Sequence, residues 1–425
     1  MDNWQHVIDE HKTLTRRYFL GLGAAGWAGL QLGPLWAGDV ATEGPLAAAI
    51  AKLDYLTVPE EFGTVERGNP IPHTLPIEKR REVGLERETW KLEVVADAAD
   101  ANNPNSAVKL EKPLSREAGT ALDWAGLMSL AEKHAVRFLK VMTCNNGDTP
   151  LGMGLWEGIP LREIIWQTKP SPNVRRLFYY GYHNDDPQQL FQSSLPIGRV
   201  LEDPPGDNPV ILCYKLNGEF LSGKRGGPVR MLVPEAYGFK SVKWLQRIVL
   251  TNNHQANDTY AKGNNDIDSW MKTFARFLTK PTKVKLGEPI PITGVAQVGI
   301  SGLTKVQYAL HPQEPEWPVD DPHLLKADWK DTELLPAPNR WAGGLPNGQF
   351  PAGANAFDPA TGKPRSWPMR YAIAHWAVVL KDIPAGKYHL RCRTIDANGL
   401  AQPMPRPFPK SGRNSIEKAS LLVEG

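Results

Sequence analysis

The stretch GPVRMLVPEAYGFKSVKWL, residues 227–245, carries the pattern that decides the fold. Apolar runs at residues 229–233 and 242–250 predict two strands, and the turn-forming residues between them predict a loop. Arg230 lies in the first run, and Lys243 lies at the start of the second. Taken singly, a cation on a strand is usually a surface residue. The stretch therefore predicts strands, and a role for Arg230 and Lys243 can be inferred only with the rest of the chain.

The residues around this stretch predict more strands and few helices. Runs at residues 177–182 and 210–216 are typical of strands, and Asn217-Gly218 predicts a hairpin after the second of them. Asp123 suits the N-cap of a helix that ends near residue 134, and Pro160 suits the first residue of another. The chain has no Gly-x-Gly-x-x-Gly after a strand, which argues against a dinucleotide-binding fold.

Cys144 ends a further strand-like run, residues 136–141, and enters the polar loop Asn145-Asn146-Gly147-Asp148. A thiol there is presented at the end of a rigid element, where a metal could reach it. The other cysteines, Cys213 and Cys392, lie inside runs that predict buried strands. A free cysteine is more often a small core residue than a ligand, so Cys144 needs support from other segments.

The composition limits the classes of protein that fit. With 425 residues, 41% of them apolar, and 14 tryptophans, the chain predicts a folded protein of two or three domains. A net charge of +3 gives no reason to expect nucleic acid or an anionic membrane as a partner. Three separated cysteines form neither a disulfide framework nor a Cys-x-x-Cys-His site, so we expect no haem bound to this chain.

The chain divides into three predicted regions. Residues 1–38 contain Arg16-Arg17 before a Gly- and Ala-rich apolar run, which is typical of a twin-arginine signal for export of folded proteins. We expect residues 39–279 to form the catalytic domain. Strict alternation at residues 388–394 predicts that residues 280–425 form a β-sandwich of the immunoglobulin type. Residues 312–370, rich in Pro, Gly and Trp, predict an excursion near a site or an interface.

Four segments together resemble one known family. They are Arg67-Gly68-Asn69-Pro70-Ile71-Pro72, the Cys144 loop with Trp156-Glu157-Gly158 behind it, Gly227-Pro228-Val229-Arg230, and Ser241-Val242-Lys243-Trp244-Leu245. Their order and spacing, with the predicted sandwich, resemble the sulfite oxidase family of molybdopterin enzymes over roughly residues 55–425. The resemblance implies an α+β fold, in which a strand-rich molybdopterin-binding domain precedes the sandwich. It also implies a homodimer formed through the sandwich.

The resemblance assigns roles to individual residues. It implies molybdenum held by one pyranopterin dithiolene and by the thiolate of Cys144, a soft ligand that suits such a metal. Arg230 and Lys243 match positions that bind the pterin phosphate, together with Ser241 and Val242. Arg225 matches a position that faces the cofactor, and Asn184, with Asp185 as its competitor, matches a second cofactor contact. Arg67 and Asn69 match the segment that reaches the pterin and the oxyanion pocket. Tyr260 matches the active-site tyrosine.

Two departures from the family pattern concern the substrate. Sulfite oxidases carry an arginine pair shortly after the ligand cysteine, whereas this chain has Asp148-Thr149-Pro150. An arginine of the family's sandwich is replaced within Ala374-His375-Trp376-Ala377. A dianion needs compensating charge, and Arg67 and histidines 183 and 375 are the residues we expect to compensate.

These expectations give one principal function and two alternatives. The principal one is an exported, periplasmic molybdenum oxidoreductase that transfers an oxygen atom at a sulfur compound, sulfite or sulfane-type. Its electrons leave to an external carrier such as a c-type cytochrome. A periplasmic reductase of methionine sulfoxide or a similar sulfoxide is the first alternative, and the sandwich argues against it. A non-enzymatic exported binding protein is the second.

Overall fold

The computed structural model describes residues 44–97, 107–339, 341, 345 and 350–425. Two compact units are distinguished, residues 1–51 and residues 52–425. The described part of the first unit is essentially one short helix, α1 (Pro45–Ile50), with a proline in its first turn. The predicted export signal at residues 1–38 lies outside the described residues.

The second unit begins with a sheet of five strands in the spatial order β2-β1-β10-β5-β6. Its strands are β1 (Lys91–Ala96), β2 (Leu122–Asp123), β5 (Arg176–Gly181), β6 (Gln192–Pro196) and β10 (Leu245–Thr251). The central pair, β1 and β10, is parallel, with Val94 opposite Ile248. Both residues are completely buried because this face of the sheet packs into the largest apolar cluster.

A second sheet carries the Cys144 loop. It has the order β3-β4-β7-β8, with β9 paired to β7. Its strands are β3 (Val136–Met142), β4 (Gly152–Pro160), β7 (Ile211–Leu216), β8 (Glu219–Phe220) and β9 (Arg230–Leu232). The predicted hairpin at Asn217-Gly218 joins β7 to β8, and both of its residues have positive φ, as this turn requires.

Short helices connect these strands. They are α2 (Ile77–Glu82), α3 (Trp124–His134), α4 (Leu161–Gln167), α5 (Ile197–Leu201) and α6 (Thr259–Lys262). Asp123 caps α3 as predicted, since its carboxylate accepts a hydrogen bond from the Gly126 amide. The prediction for Pro160 was one residue off: it ends β4 and serves as the N-cap of α4.

The C-terminal strands form two facing sheets, which is the predicted β-sandwich. One has the order β11-β13-β17-β16 and the other β12-β19-β18-β14-β15. Trp376 and Leu390, one from each sheet, are buried in the same apolar cluster. The strands are β11 (Phe274–Thr279), β12 (Lys283–Lys285), β13 (Ile290–Gln297), β14 (Lys305–Pro312), β15 (Lys330–Asp331), β16 (Glu333–Leu334), β17 (Ile373–Leu380), β18 (Gly386–Ile395) and β19 (Glu417–Glu424). The predicted α+β class is confirmed.

The described part of the excursion at residues 312–370 packs against the strand that leads to Cys144. Trp341 and Phe357 share an apolar cluster with Leu139 and Val141 of β3. Just after the excursion, the Tyr371 carbonyl accepts a hydrogen bond from the Val141 amide. This part of the chain therefore supports the base of the Cys144 loop. Within the described residues, every helix is too short or too polar to cross a lipid bilayer.

Candidate cofactor and substrate cleft

Eight of the ten predicted site residues line one cleft. Its wall comes from residues 62–67, the Cys144 loop, residues 183–191, residues 225–244 and α6. The eight are Arg67, Cys144, Arg225, Arg230, Ser241, Val242, Lys243 and Tyr260. Segments that are remote in sequence thus meet around one thiol, as the spacing of the motifs predicted.

The Cys144 thiol stands on a well-anchored loop. β3 ends at Met142, and the Leu151 amide donates to the Met142 carbonyl, which closes the loop at its base. The Gly147 amide donates to the Cys144 carbonyl, which forms a tight turn. From the sandwich, Arg276 Nε donates to the Asp148 carbonyl at 2.6 Å. These bonds hold the thiol in place before any ligand binds.

Cys144 differs from the other two cysteines in its surroundings. Cys213 and Cys392 are completely buried, whereas Cys144 is partly exposed in the cleft. Burial raises the pKa of the Cys213 thiol to about 12 and places the pKa of Cys392 well above its usual value. Those two thiols therefore stay protonated and act as core residues. Among the three, Cys144 is the one placed to bind a metal.

A wall of cations lines another side of the cleft, and we define the cation wall as Arg225, Arg230 and Lys243. The two arginines are buried and Lys243 is partly buried. Arg230 is 5% exposed, and its two terminal nitrogens donate to the carbonyls of Arg225 (2.9 Å) and Ser241 (2.6 Å). Lys243 Nζ donates to Thr64 Oγ1 at 2.8 Å. Burial lowers the pKa of Arg230 to about 10. Burial, followed by repulsion from Arg230, lowers the pKa of Lys243 to about 7.

The cation wall lacks an adjacent counter-charge. Among the described residues, Glu66 acts on Arg225 and Lys243 only from beyond ion-pair distance. Nη2 of Arg225 and Nε of Arg230 are buried without a hydrogen-bond partner. Buried, unpaired cationic donors are costly, and a bound phosphate would supply both the charge and the acceptors. The wall therefore fits the phosphate of a pterin cofactor.

At the mouth of the cleft, the cation Arg67 lies among aromatic rings. The Arg67 guanidinium lies 4.0 Å from the centroid of the Phe191 ring. Tyr260 stacks on Phe239 with centroids 3.5 Å apart, and its hydroxyl donates to Asn145 Oδ1 at 3.0 Å. Burial raises the pKa of Tyr260 to about 12, so its phenol is protonated at neutral pH. Arg67 and Tyr260 are thus a fixed charge and a neutral hydroxyl beside the thiol.

The two histidines expected to add positive charge do not do so. His183 lines the cleft, but burial lowers its pKa to about 4, so its ring is neutral at pH 7. His375 lies buried on β17, where its Nε2 is 2.9 Å from the Asp54 carbonyl, and it is not a lining residue. Burial lowers its pKa as well. Of the three compensating residues expected, Arg67 alone brings charge to the cleft.

Asn69 and Asn184 do not line the cleft. Asn184 Nδ2 donates to the Pro70 carbonyl at 2.6 Å, and the Asn69 amide donates to Gln189 Oε1 at 2.7 Å. These bonds join the loop after Arg67 to the loop after His183. Asp185, the competitor of Asn184, is exposed and shares its positive φ. Their observed contacts support the shape of the loops behind Arg67.

Several lining residues carried no signal that singled them out in the sequence. The aromatic wall residues Phe62, Phe191 and Phe239 come from three separate segments. Asn145, directly after Cys144, does not line the cleft itself but is buried against Tyr260, and in the sequence it is one residue of a polar loop. Its position next to Cys144 was the signal that could have identified it.

Comparison with known proteins identifies the family that this chain is similar to. Residues 83–259 match the oxidoreductase molybdopterin-binding domain. The chain is 28% identical over 217 residues to the mitochondrial sulfite oxidase of Drosophila melanogaster, covering 50% of this chain and 34% of that protein. These matches confirm the predicted resemblance to the sulfite oxidase family of molybdopterin-dependent oxidoreductases. NADH nitrate reductase 1 of Arabidopsis thaliana is 34% identical over 129 residues, which cover 27% of this chain and 13% of that enzyme.

A solved structure shows the same fold as this chain. The sulfane dehydrogenase SoxCD from Paracoccus pantotrophus superposes with a TM-score of 0.54 at 16% identity, covering 93% of this chain and 98% of that one. At that identity the likeness concerns the fold alone. The match to the fly enzyme spans only about a third of that protein's length. The fold and the oxidoreductase class follow from the comparisons.

Proposed function

We propose that this protein oxidises a small sulfur compound, sulfite or a sulfane-type species, by oxygen-atom transfer at a molybdenum–molybdopterin cofactor. The observation that carries the proposal is the meeting of a partly exposed, anchored thiol and an uncompensated cation wall in one cleft. A thiolate suits the metal and the wall suits the phosphate. When bound, the cofactor supplies two-electron oxygen-atom transfer chemistry.

The protein's own residues would bind the cofactor and orient the substrate. Cys144 would hold the metal, and Arg230, Lys243 and Arg225 would hold the phosphate. At the mouth, Arg67 would attract an oxyanion group, and the Tyr260 hydroxyl, fixed by Asn145, would orient it. The rings of Phe191 and Phe239 contact each other and line the cleft, and this apolar surface would strengthen the attraction of Arg67 for an anion.

Three further expectations belong to this proposal. Electrons leave to an external carrier, and a c-type cytochrome is the acceptor that tests this. The protein is exported to the periplasm, as the arginine pair Arg16-Arg17 indicates, and cell fractionation checks that location. The sandwich forms a homodimer, which light scattering checks; a monomer at micromolar concentration would contradict it.

The decisive experiment measures metal and reaction together. We expect purified protein to contain about one molybdenum per chain and to reduce a c-type cytochrome when sulfite or thiosulfate is added. Cys144→Ser should lose the metal and slow the reaction by more than about a hundredfold, because the hydroxyl is a harder and less acidic ligand. Metal analysis and cytochrome absorbance give the two readings.

Cys392→Ala is the matched control, since it removes a buried thiol on β18 that is not a lining residue. It should keep its molybdenum. Metal-free protein, or a Cys144→Ser variant with full molybdenum and full activity, would refute the proposal. Metal-loaded protein that reduces methionine sulfoxide but oxidises neither sulfite nor thiosulfate would show the opposite direction of transfer.

A further inference from the structure

A segment of the sandwich reaches over the Cys144 loop. We define the strap as residues 402–416, which connect β18 to β19 and contain prolines at 403, 405, 407 and 409. Arg406 Nη1 donates to Asp266 Oδ2 at 2.9 Å, and Lys272 Nζ donates to the Gly412 carbonyl at 2.9 Å. Arg276, which holds the Cys144 loop, also donates to the Ser415 carbonyl. The strap is therefore fixed on both sides of Lys410.

Gly412 shows how closely the strap is seated. Its φ is +88°, and a Cβ added there would lie 2.3 Å from the Tyr237 hydroxyl oxygen. Such an approach admits only glycine. The backbone of the strap thus packs directly on the loop that leads to Phe239, one of the rings at the mouth.

Asn145 connects the strap to the mouth of the cleft. Its Oδ1 accepts from the Tyr260 hydroxyl at 3.0 Å, and its Nδ2 donates to the Lys410 carbonyl at 3.5 Å. The Asp266 amide also donates to the Lys410 carbonyl. A buried side chain next to Cys144 thereby sets the position of the Lys410 backbone.

The Lys410 side chain extends from this anchor toward the mouth. Its Nζ lies 5.9 Å from the centroid of the Tyr260 ring, and the residue is exposed. Lys410 thus adds a flexible ammonium group beside a mouth whose loop, Asp148-Thr149-Pro150, has no cation and whose His183 is neutral.

We propose that Lys410 is a specificity-determining residue that captures anionic substrates at the mouth and acts with Arg67, with Asn145 as the positioning residue of the strap. The part of this inference that concerns the substrate rests on the proposed function. A mobile lysine exchanges anions more freely than a buried arginine fork does. It therefore suits a cleft that must admit an oxyanion and release its product.

The first test needs no cofactor and no turnover. In full-length protein produced without molybdenum, Cys144 is alkylated with iodoacetate, an anion, and with iodoacetamide, its neutral counterpart. Peptide mapping follows Cys144 separately from the two buried cysteines. We expect Lys410→Gln to lower the iodoacetate-to-iodoacetamide rate ratio about three- to tenfold, as loss of one nearby charge implies. About 0.5 M salt should shrink the difference.

The second test uses the molybdenum-loaded enzyme. Lys410→Gln should raise the KM for sulfite about three- to tenfold with kcat within about twofold of wild type, since capture is weakened and chemistry is not. Lys410→Arg should restore KM and the alkylation ratio. Lys387→Gln, which removes one exposed charge from β18, is the matched control and should change neither.

The outcomes separate the two proposals. A lower alkylation ratio without oxidation of sulfite or thiosulfate keeps the role of Lys410 in anion capture and rejects the proposed function. If Lys410→Gln oxidises sulfite and matches Lys387→Gln in both the alkylation ratio and the KM for sulfite, the inference about Lys410 is overturned. The proposed function then stands.

Discussion

The cation wall and the mouth of the same cleft are built in different ways. Arg225, Arg230 and Lys243 come from a stretch of 19 residues, 225–243. Arg230 donates to two carbonyls within this stretch, whereas Arg225 and Lys243 donate to residues 63 and 64. The mouth takes Arg67, Asn145, Tyr260 and Lys410 from four distant segments. The wall suits a cofactor that is the same in every turnover, and the mouth can vary with the substrate. One short motif carries all the cations of the wall, whereas the residues of the mouth are brought together only by tertiary packing.

Replacing Arg230 should have the largest effect on binding of the cofactor by the cation wall. Arg230→Gln removes a fully buried charge and both of its donated hydrogen bonds. We expect retention of the cofactor to fall about 10- to 100-fold, the range that loss of charge-assisted hydrogen bonds implies. Molybdenum per chain after gel filtration measures it. Arg230→Lys should recover part of the loss, because it restores the charge without the planar fork.

The matched control for that change is Arg137→Gln. Arg137 lies on β3 and pairs with Glu157 at 3.2 Å, with its side chain about a third exposed. We expect unchanged molybdenum content and a loss of less than about 1 kcal/mol in stability. If Arg230→Gln retained its metal as well as this control does, the wall would not be the phosphate site.

The pH dependence of stability gives a smaller but more specific effect. In cofactor-free protein the pKa of Lys243 is about 7, against the usual 10.5. Between those values the unfolded chain binds more protons, so the free energy of unfolding should rise with pH, by at most about 1.4 kcal/mol per unit. Below pH 7 both states are protonated and this contribution is constant. Urea unfolding from pH 6 to pH 10 measures the slope.

Lys140 is the control for this prediction. It is completely buried, its Nζ donates to the Ala236 carbonyl at 2.9 Å, and burial lowers its pKa to about 7 as well. It is not a lining residue, so its slope should persist when the cofactor is bound. The slope due to Lys243, isolated by comparison with Lys243→Met, should disappear because a bound phosphate keeps the ammonium charged. A Lys243 slope that survives cofactor loading would contradict the assignment.

The same contrast explains how far the sequence could predict the molecule. Cys144, Arg230 and Lys243 were identifiable because each lies beside a strand within a short motif. The hairpin at Asn217-Gly218 follows from local turn chemistry. Lys410 was not identifiable, because its place at the mouth depends on Asn145 and on the seating of the strap at Gly412. Long-range contacts of this kind leave no periodic pattern in one sequence.

Asn184→Gly should have the smallest effect on cofactor binding and activity. It tests whether Asn184 lies outside the cofactor site. Asn184 has a φ of +57°, which glycine accepts, so the change deletes the bond to the Pro70 carbonyl without straining the backbone. We expect a loss of about 0.5–1.5 kcal/mol in stability, with molybdenum content and the KM for sulfite within about twofold of wild type. Asp185→Gly, at an exposed neighbour with a similar φ of +56°, is the matched control. A loss of molybdenum in Asn184→Gly alone would show that this side chain contacts the cofactor, as the family resemblance implies, and would extend the cofactor site beyond the lining residues described above.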